Sequence, residues 1–362
     1  MAGIYIHIPF CLSKCAYCGF YSVPTLKRKP EVLEALKLEL IARKDYLHDE
    51  PVETVYFGGG TPSILKVDEI GGLLDLIKVH YALVDDPEIT LEANPDTLSL
   101  EYLQGLRALG VNRLSIGIQS FFDNDLKYLS RRHDSQHARQ CVQLAKEAGF
   151  ENISLDLIYG LPTSDADQWN RNLDLFFEME VPHLSAYALT LEPNSILTKQ
   201  IEMGKALPVN EEDAVRDYEI LCQKAKEHGF LHYEISNFSK PRRYSKHNAN
   251  YWFGIPYAGF GPSAHSYDGV SRQWNLQSNA VEKETLSPEQ QYNEYVMLRL
   301  RTMWGIDLKY LKREMGERFA AYCERQAAPL VAQGRLSQTR EFLYLTDDQM
   351  LFADGIAEEL FW

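Results

Sequence analysis

The chain has 362 residues, more than one typical core, so one large domain with a smaller companion is expected. Lys and Arg total 37 against 51 Asp and Glu, a net charge of −14, and a surface of that sign repels phosphate backbones, which argues against nucleic acid as a main partner. No apolar run is long enough to span a bilayer and the N-terminus has no charged leader region, leaving peripheral membrane contact as the only kind to expect.

In chain order, Gly3–Ile8 reads as a strand, apolar, branched and stopped by Pro9. Directly after it comes Cys11-Leu-Ser-Lys-Cys15-Ala-Tyr-Cys18. Thiolates select zinc, copper(I) or iron–sulfur clusters. A disulfide would leave one cysteine over, and a structural zinc site needs a fourth ligand, for which only His7 is near. A [4Fe-4S] cluster on three cysteines keeps one iron open to a small chelating ligand. A C-x3-C-x2-C loop with an aromatic residue before the last Cys resembles that of the radical S-adenosylmethionine (SAM) superfamily.

Helical spacing over Glu31–Tyr46 leads to a second strand, Thr54–Phe57, ending in Gly58-Gly59-Gly60-Thr61-Pro62. No Gly-Lys-Ser/Thr follows, so this is not a phosphate loop; it is either a tight turn or a place where backbone approaches a ligand. A helix over Asp68–Tyr81 precedes a third strand, Glu88–Glu92. Ser99 caps a helix that stops at Gly110, and Arg113–Ile118 is a fourth strand followed by Gln119. Ser135–Ala148 is helical, Ile153–Ile158 is a fifth strand carrying Asp156, Asp167–Met179 is helical and His183–Leu189 is a sixth strand. A helix over Glu211–His228 and a strand over Phe230–Ile235 follow.

Strict β/α alternation predicts an α/β fold with a parallel sheet and helices outside, and six such units suit a partial (βα)6-type barrel. No G-x-G-x-x-G follows the first strand, which weighs against a dinucleotide-binding unit. The chemically distinctive residues gather at or near strand C-termini, where barrel enzymes place their chemistry. Glu92, Gln119 and Asp156, each in or just after a strand, together suit a ligand with an ammonium group and a ribose, and Arg131 suits its carboxylate.

Residues 237–285 are Gly- and aromatic-rich with little periodicity and read as an irregular functional segment. Within it His247-Asn248-Ala249-Asn250-Tyr251-Trp252 offers an imidazole and flat apolar rings, with Arg242, Arg243 and Lys246 beside it, the components of a haem site. His265 is the rival axial ligand. Residues 286–362 return to helices with a short hairpin at Gly334–Leu345, a small mainly α, winged-helix-like domain; nine basic against twelve acidic residues there disfavour DNA binding. Cys141, Cys222 and Cys323 lie singly in helical segments and read as small buried hydrophobes, and free thiols suit a reducing cytoplasm.

The motifs Tyr5-Ile-His-Ile-Pro-Phe-Cys11, Gly-Gly-Gly-Thr-Pro, Glu92-Ala-Asn-Pro, Gly117-Ile-Gln119-Ser and Asp156-Leu-Ile-Tyr-Gly-Leu-Pro make the chain resemble the oxygen-independent coproporphyrinogen III oxidase family, and within it the HemW-type haem chaperones. The resemblance spans nearly the whole chain. It implies a radical SAM partial barrel over 1–236, a haem-binding segment and linker over 237–285 and a C-terminal domain over 286–362. It places a [4Fe-4S] cluster on Cys11, Cys15 and Cys18. It lines the SAM site with Tyr5, Tyr17, Gly59, Gly60, Thr61, Glu92, Gln119, Arg131 and Asp156, and the haem site with His247, Asn248, Tyr251 and Trp252. Implied partners are haem, haem-acceptor proteins and an electron donor such as flavodoxin. Two departures separate the chain from the decarboxylating oxidases: Phe20 stands where they carry a fourth cysteine, and the long N-terminal extension is missing. The alternative activity is oxidative decarboxylation of coproporphyrinogen III propionates through a 5′-deoxyadenosyl radical.

Overall fold

The computed structural model describes residues 1–276 and 280–362. The first six strands, β1 (Ala2–Ile8), β2 (Val52–Gly59), β3 (Leu83–Ala93), β4 (Arg113–Gln119), β5 (Asn152–Tyr159) and β6 (His183–Ala188), pair in parallel in sequence order. Helices α1 (Lys29–Ala42), α2 (Val67–His80), α3 (Leu100–Leu109), α4 (Asp123–Tyr128), α5 (Ser135–Glu147) and α6 (Ala166–Glu178) make the crossovers. Local chemistry sets their ends. Ser99 accepts from the Tyr102 amide at the start of α3, and Gly110 ends that helix in the left-handed conformation at φ 99°. Asp134 and Asp165 cap α5 and α6 in the same way.

Period-two alternation gives each strand two different faces. Ile4, Ile6 and Ile8 of β1, Val55 and Phe57 of β2, Leu114, Ile116 and Ile118 of β4 and Ile153, Leu155 and Leu157 of β5 belong to the main core with Leu36, Leu40, Leu73 and Phe176 of the helices. The opposite face carries Tyr5 and His7, Thr54 and Tyr56, Glu88, Thr90 and Glu92, Arg113 and Ser115, Ser154 and Asp156, and His183 and Ser185. The barrel interior is therefore polar rather than filled with branched aliphatic layers, and can hold a polar ligand.

The strand read as beginning at Glu88 starts at Leu83 instead. Pro87, which lacks an N–H, and the two aspartates before it look like a turn in sequence, but pairing of Leu83 with Val52 extends the strand through them.

After α7 (Ile196–Glu202) and α8 (Glu211–Glu227), β7 (Leu231–Glu234) and β8 (Asn237–Ser239) form an antiparallel hairpin, and β8 pairs antiparallel with β6. The segment expected to be irregular is not. It folds as β8, α9 (Lys246–Trp252), β9 (Tyr257–Phe260), β10 (His265–Tyr267), β11 (Ser271–Asn275) and β12 (Val281–Thr285). Strand β9 lies parallel to the free edge of β1, and β10 to β12 continue as an antiparallel meander. The final order is β12-β11-β10-β9-β1-β2-β3-β4-β5-β6-β8-β7, an open sheet, and the 236/237 boundary falls inside it. Elements of three to five residues are too short to show a period, and their partners are remote in sequence. Residues 277–279 of this segment lie outside the described residues.

The C-terminal domain comprises α10 (Pro288–Leu300), β13 (Ile306–Asp307), α11 (Leu308–Tyr310), α12 (Glu317–Ala332), β14 (Ser337–Gln338), β15 (Phe342–Tyr344) and α13 (Ala353–Glu358). Its three short strands pair in the order β13-β15-β14, so the expected hairpin is present. It has its own core around Tyr292, Val296, Phe319, Leu343 and Ile356. It is tied to the barrel by backbone bonds from Ile235 N to Arg301 O and from Met303 N to Tyr233 O.

Candidate functional site

The cysteine loop leaves β1 at its C-terminal end and is held by backbone bonds at several points. Val23 N donates to Pro9 O, Cys11 N to Val23 O, Ala16 N to Leu129 O, and Leu197 N to Ala16 O. Ala16 is buried in a small apolar cluster with Leu129, Ile158 and Leu197, and Tyr17 packs against it. All three loop thiols are unpaired and half-buried.

Two of the sulfurs are joined by a continuous chain of side chains. Thr61 Oγ1 donates to Cys11 Sγ at 3.5 Å, and Asn94 Nδ2 donates to Thr61 Oγ1 at 3.2 Å. Asn94 Oδ1 accepts from Arg131 Nη2 at 2.8 Å, and Arg131 Nη1 donates to Cys15 Sγ at 3.3 Å. Asn94, part of a motif noted in the sequence, is thereby given a role that sequence reasoning missed. Single-ion zinc fits poorly. His7, the only candidate fourth ligand nearby, bonds Tyr5 Oη through Nδ1 and Tyr21 O through Nε2, both at 3.2 Å. Among the described residues no three His, Cys, Asp or Glu side chains converge as a single-ion site. Three unpaired thiols with cationic and hydroxyl donors fit an iron–sulfur cluster.

Beside the loop, Glu92 accepts from Tyr56 Oη at 2.8 Å and from Gly59 N at 3.1 Å. Burial pushes its carboxyl up to about 7, against the pull of the Tyr56 bond. Gly59 has φ 108° and a Cβ there would lie 2.6 Å from the His7 ring; a Cβ on Gly60 would lie 2.6 Å from Phe10 O. Close packing of β1 on β2 thus requires both glycines, whatever they bind. Asp156 accepts from Ser115 Oγ at 3.1 Å, and burial raises its carboxyl above the usual range. Gln119 sits at φ 69°, an uncommon conformation for a side-chain-bearing residue, at a register shift between β4 and β5. A Cβ on Gly117 would lie 2.9 Å from its Nε2 and 3.3 Å from Arg131 Nη2, so the two side chains crowd the space beside that glycine. Arg131 Nε is buried without a hydrogen-bond partner among the described residues, a donor available to a ligand carboxylate. The residues expected around SAM therefore do gather on one edge.

His247, Asn248, Tyr251 and Trp252 all border one cavity. His247 is buried, with Nδ1 on Thr54 Oγ1 and Nε2 on Tyr251 Oη, both at 2.8 Å. Its ring stacks on Tyr56 with centroids 5.0 Å apart, and burial, reinforced by Arg113, lowers its pKa to about 3. Its amide donates to Glu88 Oε1, so α9 lies across the inner face of β1 to β3. Arg242, Arg243 and Lys246 are exposed and do not line the adjoining cavity.

That cavity, about 970 Å³, is bordered by Tyr5, Tyr56 and Glu92 on the barrel side and by Trp252, Tyr257, His265, Tyr267 and Tyr310 farther out. Arg272, which sequence reasoning overlooked, supplies a cation to its wall and pairs with Glu294. Phe20, in place of a fourth cysteine, is 71% exposed at its border. Deeper in the barrel, Arg113 is buried, with Nε and Nη1 unpartnered among the described residues, level with Thr90 and Asn152 on the neighbouring strands. Arg113 gave no sequence signal beyond its place in a strand.

A partial parallel barrel with three cysteines on the loop after β1 and a Gly-rich turn after β2 is the architecture of a radical SAM protein. The radical SAM superfamily profile matches residues 5–176, and the HemN C-terminal domain profile matches residues 286–352. Membership of the superfamily implies a [4Fe-4S] cluster and SAM. Among curated relatives, heme chaperone HemW of Bacillus subtilis is 34% identical, covering 98% of this chain and 98% of its own. HemW of Mycobacterium tuberculosis is 33% identical over 99% of this chain and 94% of its own, and that of Escherichia coli 32% identical over 98% and 97%. The chain belongs to the HemW heme chaperone family. The solved structure of coproporphyrinogen III oxidase (HemN) from Escherichia coli, a radical SAM enzyme, shares the fold at TM-score 0.85 and 24% identity, over 99% of this chain and 89% of that one. No helix among the described residues is long and apolar enough to cross a membrane.

Proposed function

We propose that this protein is a haem-binding chaperone on a radical SAM scaffold that passes haem to acceptor proteins. Cys11, Cys15 and Cys18 would hold the [4Fe-4S] cluster, and Tyr5, Tyr17, Gly59, Gly60, Thr61, Glu92, Gln119, Arg131 and Asp156 would form the SAM site. When bound, the reduced cluster supplies the electron that cleaves SAM. This chain's own part is to hold the ligand's ammonium at Glu92, its carboxylate at Arg131 and its ribose at Asp156. An electron donor such as flavodoxin would reduce the cluster, and six unpaired cysteines suit a reducing cytoplasm.

The observation that carries the haem reading is the cavity of about 970 Å³ walled by aromatic rings from the barrel edge, α9, the meander and the C-terminal domain. Flat rings bury a macrocycle at small entropic cost, and a cavity of this size lies at the upper end of ligand sites. Asn248, Tyr251 and Trp252 belong to it.

The test is anaerobic purification with iron, sulfide and haem assayed together, followed by incubation of the reduced protein with SAM and coproporphyrinogen III. Retained haem with no vinyl product is expected. Decarboxylated product would instead assign the oxidase activity. Cys15→Ser should lose iron and sulfide while keeping the far-ultraviolet spectrum of the barrel; stoichiometric zinc without iron in the wild type would reject the cluster.

A further inference from the structure

Arg113 is the largest charged side chain sealed inside the protein, 1% exposed, on the polar face of β4. Its Nε and Nη1 have no hydrogen-bond partner among the described residues. A guanidinium is always charged, and burying a charge unpaired is costly. Its partners on the neighbouring strands, Thr90 of β3 and Asn152 of β5, are uncharged, and Thr90 Oγ1 and Asn152 Oδ1 are unpartnered too. The interior histidines do not compensate it. His183 spends Nδ1 on Ser154 Oγ and Nε2 on Tyr233 Oη, both at 2.7 Å. Burial, reinforced by the guanidinium, keeps both His183 and His247 neutral.

Above Arg113 on the same face stands Glu92. It lies two residues beyond Thr90 on β3, level with Ser115 of β4. That is one strand across and two residues along from Arg113, about 8 Å between their backbones. Glu92 accepts from Tyr56 Oη and Gly59 N, neither of them charged. The guanidinium therefore acts on this carboxylate from a distance and leaves its remaining lone pairs free. A contact ion pair would do the opposite, because a guanidinium fork occupies both carboxylate oxygens and leaves little for the N–H groups of a ligand.

We propose that Arg113 is a positioning residue for SAM: from beneath the site, without touching the ligand, it holds Glu92 in the charged form that the ligand's amino group needs. The proposal rests on the SAM-site reading above. Burial pushes Glu92 up to about 7, and Arg113 is among the groups that draw it back. Asp156, raised by burial and steadied by Ser115 and Ser185, also feels Arg113. The other groups facing this space keep one charge state near neutrality. Burial raises Tyr5 of β1, Tyr56 of β2, Tyr187 of β6 and Tyr251 of α9, and lowers His7 of β1. Glu88 of β3 accepts from the His247 amide. Glu234 of β7, bonded by Asn237, is a second carboxyl that burial pushes to about 7, so the effect has to be read against Glu92→Gln, which leaves Glu234 in place.

The test is the SAM affinity of the full-length protein after anaerobic reconstitution, measured by calorimetry from mildly acidic to mildly alkaline pH. The proteins are the wild type, Arg113→Met, Arg113→Lys and Thr90→Asp, each also combined with Glu92→Gln. In Arg113→Met the pH at which affinity reaches half its alkaline limit should rise by roughly 0.5–1.5 units, the effect of a unit charge about 8 Å away at an effective dielectric of about 20 or more. Arg113→Lys should restore most of the wild-type midpoint, and Glu92→Gln should abolish the shift. Thr90→Asp keeps the buried arginine and gives it a contact partner, so it should raise the midpoint as well, and it carries the test if Arg113→Met does not fold. A purely structural arginine would lower the melting temperature and leave the midpoint in place. Wild-type midpoints in Arg113→Met or Thr90→Asp would overturn the assignment while leaving the SAM site intact. A wild-type protein that holds its cluster and binds no SAM would overturn that reading itself.

Discussion

Arg131 donates to the Sγ of Cys15 at 3.3 Å with one terminal nitrogen and to Asn94 with the other, so a residue 116 positions away in sequence braces the cysteine loop. The second nitrogen also donates to Gly117 O. Arg131→Met removes three contacts at once and leaves Asn94 and Cys15 without a donor. Hydrogen bonds involving a charged group contribute about 1.5–3 kcal/mol each at most, so SAM affinity should fall at least tenfold and iron content after reconstitution should drop. Lys should not rescue, because a point ammonium cannot span the three acceptors. Iron, sulfide and SAM affinity at wild-type levels in Arg131→Met would remove this residue from the site.

Glu92 predicts a pH signature. Its carboxyl stands at 4.5 when unfolded and about 7 in the native protein, where burial disfavours the charge. Between those values the native state binds more protons than the unfolded state, so stability contributed by Glu92 is full below 4.5 and is lost as pH rises through about 7. Relative to Glu92→Gln, the wild type should lose on the order of 1–2 kcal/mol between acidic and mildly alkaline pH, a figure reduced for its contact with the open cavity. SAM binding has the opposite slope, because an ammonium needs the ionised carboxylate; wild-type affinity should decline below about pH 7, and that of Glu92→Gln should be weak and flat. Parallel stability curves for the two proteins in urea would contradict this.

Asp156 accepts from Ser115 on the neighbouring strand β4, and Ser185 on β6 also favours its charged form. Asp156→Ala should weaken SAM binding by about 1.5–3 kcal/mol, the contribution of a hydrogen bond to a charged group. Calorimetry reads this directly, and unchanged affinity would place the ribose elsewhere.

His247 predicts a stability effect. His247→Ala removes a buried ring, two hydrogen bonds and a stack, and should cost about 2–4 kcal/mol. Tyr251→Phe, which removes a single bond, should cost about 1 kcal/mol. Denaturant unfolding measures both. A His247→Ala protein as stable as the wild type would show that the ring does not anchor α9.

The barrel and the cysteine loop were legible in the sequence. Strands β1 to β5 have a core face of Ile, Val, Leu or Phe at period two and β6 one of Leu184 and Ala186, backed by helices of which one shows both its ends, Ser99 and Gly110, and all of this is local. Three cysteines within one short loop are likewise local, and their residue types alone limit the chemistry. Tertiary structure alone decided the rest. Strand β9 joins β1 across most of the chain, and strands of three to five residues carry no periodic signal of their own. Asn94 and Arg131 became parts of the cysteine site only through contacts between separate loops. The fate of a histidine depends on what faces it: Thr54, 193 residues before His247, and Tyr251 take both its nitrogens, whereas His265 faces open cavity. A side chain's available lone pair is a property of its neighbours in space, and a motif records only its neighbours in sequence.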